Sequence, residues 1–256
     1  MAAARPHDAA GLERLQNAIA GRTQVSLDKA TGTVRFLRFE PVGIPTRAVT
    51  PAAKRSATDS FLGEHASVFG LKDPASELEL VRELSDGFGY SHVFYRQVYQ
   101  GVPVYGSDFR THFNRDGALT AISAVTLPIF KLNMIPSIRL GAVADIAISK
   151  VGGITKRPSR RTGLTAGTPE LLVFRTGLLR GIKGSNHLVY RVEVINPAGT
   201  IREFVFVDAH TGEVLEQITG IHDAIDRQVY DGGFAPQFLR WSEGDTSHSW
   251  APMRRG

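Results

Sequence analysis

The stretch YSHVFYRQVYQGVPVYGSDFRTHF, residues 90–113, decides the fold that this sequence predicts. It holds two runs of alternating apolar and polar residues, rich in aromatics as half-buried strands are, and Gly101-Val102-Pro103 joins them. Strand side chains point to opposite faces in turn. One face of the first run therefore carries Val93, Tyr95, Gln97 and Tyr99, and the other carries His92, Phe94, Arg96 and Val98. We predict two antiparallel strands with a tight connection.

The sequence around this pair repeats one layout, a helix followed by strands. In the first copy Thr50 caps a helix that starts at Pro51 and ends at Gly70, and in the second a helix spans residues 141–151. The predicted strands are residues 78–84, 90–100, 104–113 and 118–126, and then 170–175, 187–195, 201–208 and 213–218. Turns that open with Asp or Asn and close with Gly favour antiparallel pairing. The predicted fold class is α+β, with two small units, each a helix packed on an antiparallel β-meander.

Four divisions follow from this layout. Residues 1–49 hold an N-terminal helix, capped by Asp8, and a β-hairpin, and residues 50–127 are the first helix-and-meander unit. Residues 137–219 are the second unit. Residues 220–256 are richer in Gly, Ser, Trp and acidic residues, so we predict a linker and the truncated start of a further domain.

Composition excludes several kinds of site. The chain has no cysteine, so it holds no disulfide, thiolate zinc site or cysteine nucleophile. A net charge of +5 favours solubility more than nucleic-acid binding, and no apolar run reaches the roughly 18 residues that span a bilayer. The first residues, MAAARPHD, contain no apolar segment of a signal peptide.

The motifs of common hydrolases are also missing. None of the eight histidines forms H-E-x-x-H, and neither G-x-S-x-G nor G-x-x-x-x-G-K-[ST] occurs. Lys156, Arg157, Arg160 and Arg161 form a basic cluster, which is read either as a contact for nucleic acid or anionic lipid or as a solvated loop. The residues therefore predict a chain that is not an enzyme.

Two segments carry a resemblance to a known family. The run from Tyr90 to Asp108, with its Y-x-G-V-P-V pattern, resembles the fungalysin/thermolysin propeptide domain. The segments LVYRVEV, residues 188–194, and FVFVDAHTGEVL, residues 204–215, resemble the PepSY domain with its V-D-A-x-T-G-x-V-L pattern. Their order matches the pro-region of thermolysin-like zinc metalloproteases, and residues 226–233 resemble the passage into the catalytic domain.

The resemblance implies a function. The chain is expected to be a pro-region, in an incomplete secreted zymogen that lacks its catalytic domain, and to serve as intramolecular chaperone and temporary inhibitor. Its partner would be a thermolysin-like catalytic domain, in cis or in trans, with neither nucleic acid nor membrane. No cofactor is expected on this chain, since zinc belongs to the missing domain.

Individual contacts and one alternative stay open at this stage. Tyr99, Tyr105 and Phe109 are candidate contacts with the protease, and each is also a candidate core residue. The alternative function is a free-standing protease inhibitor or binding module that acts in trans.

Overall fold

The chain folds into helices packed on antiparallel sheets. The structure is a computed structural model, and it describes residues 6–19, 21–129, 131–154, 163–221, 228–230 and 239–242. The helices are α1 (Ala9–Ala18), α2 (Pro51–His65), α3 (Pro74–Glu77) and α4 (Leu140–Ile154), with 3-10 turns at Ala66–Phe69 and Leu178–Arg180. The strands are β1 (Arg22–Leu27), β2 (Val34–Glu40), β3 (Leu78–Ser85), β4 (Ser91–Tyr99), β5 (Val102–Pro103), β6 (Asp108–Phe113), β7 (Leu119–Val125), β8 (Thr165–Ala166), β9 (Glu170–Arg175), β10 (Asn186–Ile195), β11 (Arg202–Asp208), β12 (Val214–Thr219), β13 (Gln228–Tyr230) and β14 (Leu239–Ser242). The predicted α+β class with two sheet-bearing units is confirmed.

The first sheet has seven strands in the order β1-β2-β7-β6-β4-β3, and β5 pairs with β4. The N-terminal hairpin enters this sheet because β2 pairs with β7, where Phe36 lies opposite Ser123. Leu15 of α1 and Leu37 of β2 also share the core of α2 and the meander. The described part of residues 1–49 thus shares its sheet and core with residues 50–127.

Helix α2 begins where its sequence predicts, but the helix predicted up to Gly70 divides into α2, which ends at His65, and the 3-10 turn Ala66–Phe69. The Thr50 hydroxyl accepts a hydrogen bond from Ala53 N, Pro51 occupies the first helical position, and Gly70 ends the following 3-10 turn with a φ of 73°. Phe61 and Phe69 pack into the core, where Phe69 meets Phe109 edge to face at 5.2 Å between ring centroids. The helix therefore covers one face of the first sheet.

The second sheet is the meander β9-β10-β11-β12, extended by β8 on β10. Helix α4 packs on it through the fully buried side chains of Val143 and Ala147. The predicted helix at residues 141–151 ends three residues too early, since α4 runs to Ile154, and β8 was not predicted. Strand β13 pairs with β14 in a separate two-stranded sheet.

The same aspartate turn closes a hairpin in each unit. Asp28 Oδ1 accepts hydrogen bonds from the backbone N–H groups of Ala30 and Thr31, at 2.8 and 3.0 Å. Asp208 Oδ1 accepts them from His210 and Thr211, both at 2.9 Å. The chain then leaves each turn through a glycine with positive φ, 74° at Gly32 and 75° at Gly212.

Candidate partner-binding surfaces

The Gly-Val-Pro-Val motif joins the two units. Strand β5 folds back on the end of β4, pairing Val102 with Tyr99. Val104 N then donates to Gln97 O at 2.9 Å on one side, while Tyr105 N donates to Val173 O of β9 at 2.8 Å on the other. Residues 102–105 therefore bridge the first sheet to the second. The single strand predicted at residues 104–113 is wrong in its first part, because residues 104–107 leave the first sheet before β6 begins.

Packing reinforces this junction. Val104 and Val173 are buried with Leu127 and Ile129 in a small apolar cluster, against which Tyr99 also packs. Tyr105 crosses to the second sheet, where its ring lies 4.8 Å from that of Phe206. A polar contact adds to these, since Asn186 Nδ2 donates to Pro128 O at 3.0 Å.

The three candidate contact residues are thus engaged within the chain. Phe109 is fully buried between sheet and helices, so its ring is not available to a partner, and the reading of it as a core residue is confirmed. Tyr99 and Tyr105 are half-buried at the junction. Their contact with a protease stays a prediction that nothing in the structure supports.

The outer face of the first sheet is the face opposite α2. It presents two cross-strand neighbours, His92 on β4 and His112 on β6. Their Nδ1 atoms lie 2.8 Å apart, and His112 Nε2 lies 3.2 Å from the Ser123 hydroxyl. Because one imidazole must donate and the other accept, this hydrogen bond requires at least one neutral ring. Burial, with help from neighbouring His92 and Arg110, lowers the pKa of His112 to about 4.

Next to the histidines, two arginines flank one aromatic ring. The guanidinium carbons of Arg82 and Arg110 lie 4.5 and 5.1 Å from the centroid of the Phe94 ring. Arg110 is also ion-paired to Asp108 at 2.7 Å. Cation–π contacts of this kind hold the outer face in one arrangement.

The most apolar surface lies at the edge of the same sheet. Among the described residues, twelve large apolar side chains are exposed, and five of them fall within residues 80–90. We call these five the β3 strip; its members are Leu80, Val81, Leu84, Phe88 and Tyr90. The first three lie on β3, the edge strand, and the last two lie on the turn into β4.

Sequence reasoning missed both the histidine pair and the β3 strip. The strand at residues 78–84 was predicted, but its pattern Leu-Glu-Leu-Val-Arg-Glu-Leu does not say whether the strand is central or at an edge. The histidines lie twenty residues apart, and only the observed register sets them side by side. The basic cluster at residues 156–161 lies outside the described residues.

Neither a metal site nor a membrane-spanning helix is found among the residues that the structure describes. No three His, Asp or Glu side chains come together as metal ligands within the parts of the chain that the structure describes. None of the described helices is long and apolar enough to cross a membrane.

Two protein-family models match this chain. The Fungalysin/Thermolysin Propeptide Motif matches residues 76–124, and the Peptidase propeptide and YPEB domain, PepSY, matches residues 172–218. The chain is thus similar to a thermolysin-type propeptide motif in its first unit and to a PepSY domain in its second. The propeptide motif runs from α3 into β7, and the PepSY domain runs from β9 to β12. Each match therefore covers one meander, and the resemblance predicted from the sequence is confirmed.

Relatives of known name match over both units. Bacillolysin of Bacillus subtilis strain 168 is 25% identical over 177 residues, which is 68% of this chain and 33% of the relative. Bacillolysin of Bacillus amyloliquefaciens is 26% identical over 190 residues, which is 73% of this chain and 35% of the relative. The chain spans about a third of the length of the curated relatives it matches.

The solved structure of the Bacillus megaterium YpeB C-terminal domain also aligns with this chain. The alignment covers 84% of this chain and 98% of the YpeB chain. The identity is 11% and the TM-score is 0.33, a likeness too loose to carry an argument.

Proposed function

We propose that this chain is the pro-region of a thermolysin-like zinc metalloprotease and acts as intramolecular chaperone and temporary inhibitor of the catalytic domain. The observation that carries the proposal is the propeptide motif followed by the PepSY domain, each on its own meander. The relatives matched by this chain extend over about three times the matched length, which leaves room in them for a catalytic domain.

The fold suits such a role physically. An inhibitor loses less entropy on binding when its contact surface is already rigid. Here a seven-stranded sheet presents an outer face and a free edge, and the junction at residues 102–105 ties that sheet to the second one. A chaperone stabilises the near-folded protease by binding it better than the unfolded chain, and a covalent tether would raise the effective concentration of that contact.

The chemistry of peptide hydrolysis is assigned to the partner. We expect zinc and its H-E-x-x-H helix on the catalytic domain, none on this chain, and an extracellular site of action. The reading frame beyond Gly256 decides between action in cis and in trans. A frame that continues into a segment with H-E-x-x-H supports the tethered form, whereas unrelated sequence favours an inhibitor that acts in trans.

The test is a refolding and inhibition assay with a purified thermolysin-like catalytic domain. Added to the denatured domain, this chain should raise the recovered activity, and added to the active enzyme, it should inhibit peptide hydrolysis at stoichiometric concentration. A heat-denatured sample of the same chain is the control. Unchanged recovery and unchanged hydrolysis at high excess would remove the proposal.

A further inference from the structure

The β3 strip concentrates exposed apolar surface in one place. Val81 is 57% exposed and Phe88 is 80% exposed, and both lie within one strand and its turn. Elsewhere in the described residues, large exposed apolar side chains stand singly or in a close pair, as at Val42, Ile135 and Ile195. Leu80 lies opposite Tyr95 of the inner face and Leu84 lies opposite His92 of the outer face, so the strip presents apolar side chains on both faces of the edge strand. Single exposed apolar residues are ordinary, whereas several along one edge indicate an interaction surface.

The main chain of β3 is also unsatisfied on one side. Within the described residues β3 pairs only with β4, so its outer edge offers free N–H and C=O groups to another strand. The opposite edge of the sheet, β1, has the sequence RTQVSL and is exposed through Arg22, Gln24 and Ser26. The two edges thus differ, and only β3 combines free backbone groups with apolar side chains.

The turn after β3 holds its aromatic residues in place. Asp86 Oδ1 accepts hydrogen bonds from the backbone N–H groups of Phe88 and Tyr90, both at 2.9 Å. Asp86 N donates to Tyr90 O at 2.9 Å, which closes the turn. An exposed aromatic residue on a fixed turn is a preorganised anchor, because little entropy is lost when it enters a pocket.

A bulge in β3 limits which strand can be added. The pairing of β3 with β4 shifts between Leu80 and Arg82, so Val81 is the extra residue. Bulges on edge strands interrupt open-ended pairing between copies of a chain. This favours a partner of one defined register over a second copy of this chain.

We propose that the β3 strip is the docking surface for the protease catalytic domain, an inference that rests on the proposed function. The partner is an apolar edge strand of that domain, which adds to β3 and receives Phe88 in a pocket. Two observations favour this occupant. The match to the propeptide motif includes all of β3, and the relatives carry about two thirds of their length outside the matched region.

Because the chain has no cysteine, one introduced thiol reports on one position. The full chain carrying Val81→Cys is exposed to a maleimide with and without a thermolysin-like catalytic domain, and Val42→Cys, at a side chain that is 67% exposed, is the matched control. We expect labelling at position 81 to slow at least tenfold, roughly, in the complex, as for a residue in a desolvated interface. Labelling of the control should not change.

Inhibition provides the second readout. Val81→Lys and Phe88→Ala should each weaken inhibition about tenfold or more, whereas Val42→Lys should leave it unchanged. All three positions of substitution are exposed, so the variants are expected to keep the fold.

The outcomes separate the two proposals. If the wild-type chain inhibits or assists refolding but the position-81 thiol reacts at the same rate and the strip variants inhibit normally, the docking surface lies elsewhere. If the wild-type chain neither inhibits, assists refolding nor protects the thiol, both proposals fail. Protection that depends on the concentration of this chain alone, with a dimer mass in light scattering, would assign the strip to a second copy and overturn the inference.

Discussion

His112 shows how one side chain acquires unusual chemistry from its neighbours. Its imidazole is half-buried on the outer face of the first sheet, where it meets His92 through the Nδ1 atoms. Protonation of both rings would set two N–H groups against each other at a distance of 2.8 Å between the nitrogens, and burial disfavours the charge on His112. The fold therefore favours the unprotonated form of His112.

This preference predicts a dependence of stability on pH. The pKa of His112, about 4 in the folded chain, lies below the ordinary value of 6.5, so the folded state binds fewer protons. The stability that the neutral His112 ring contributes is complete above pH 6.5. It is lost as the pH falls from there through the folded pKa of about 4. Between pH 7 and 4.5 we expect His112 to account for about 2 kcal/mol of lost stability.

Urea unfolding at the two pH values measures this contribution. The free energy of unfolding of His112→Asn should fall less between pH 7 and 4.5 than that of the wild-type chain, because asparagine does not titrate. His210→Asn, at the surface of the second unit, controls for loss of an imidazole. Equal pH dependence in His112→Asn and wild type would contradict the prediction.

The side-chain amide of Gln97 satisfies both backbone polar groups of Leu127. Gln97 is 1% exposed, and its amide accepts from Leu127 N and donates to Leu127 O, both at 2.8 Å. Gln97→Met would keep the volume and leave two buried backbone groups unpaired, so we expect a loss of about 2–3 kcal/mol. Thermal unfolding followed by circular dichroism measures the loss. Gln100→Met, an exposed glutamine on the same hairpin, should change stability by less than about 0.5 kcal/mol.

At the scale of elements, the aspartate turn before β12 depends on more than its backbone hydrogen bonds. Burial raises the pKa of the Asp208 carboxyl, but hydrogen bonds from Thr211 N, His210 N and His187 outweigh it, so the pKa lies below its usual value. The bond from His187 Nδ1 to Asp208 Oδ2 is 2.9 Å long. The turn of Asp28 has the same backbone bonds, and its Oδ1 also accepts a bond from the Thr31 hydroxyl at 3.2 Å.

The two turns are therefore a matched pair for mutagenesis. We expect Asp208→Ala to cost about 2–3 kcal/mol, and Asp208→Asn to cost less because its side-chain oxygen still accepts the two backbone bonds. Asp28→Asn should cost the least of the three, since an amide oxygen still accepts the two backbone bonds and the bond from the Thr31 hydroxyl. Chemical denaturation of the three variants measures these differences. Equal losses for both Asn variants would show that the His187 bond adds nothing.

The elements that could be predicted from the sequence are those whose signals are local. Thr50 and Pro51 mark the start of α2, and the strands β9 to β12 were placed within a residue or two because Asp, Asn and Gly turns punctuate them. The pairing of β2 with β7 could not be predicted, since nothing near either strand specifies a partner that far along the chain. For the same reason the departure of residues 104–107 from the first sheet was missed, because its cause, Val173, lies in the second unit.

At the scale of the whole molecule, the motif that carries the family resemblance proves to be the joint between the units. Val104 bridges to Val173, and Tyr105 reaches the aromatic cluster of Phe174 and Phe206 on the second sheet. The signature sequence is thus explained by the joint between the two units, whereas the docking surface that we propose for the protease is the free edge of the first sheet.

The joint predicts coupled unfolding of the two units. Tyr105→Ala removes a ring that packs on Phe206 and Phe174 at 4.8 and 6.0 Å between centroids. We expect a loss of about 2 kcal/mol, below the cost of a fully buried aromatic residue because Tyr105 is half-buried. Since the lost contacts lie between the units and each core is left intact, the single calorimetric transition expected of the wild-type chain should split into two.

Tyr105→Phe keeps the ring and should keep one transition. A single transition in Tyr105→Ala at the wild-type midpoint would mean that Val104 and the bond from Asn186 to Pro128 O hold the units together without the ring.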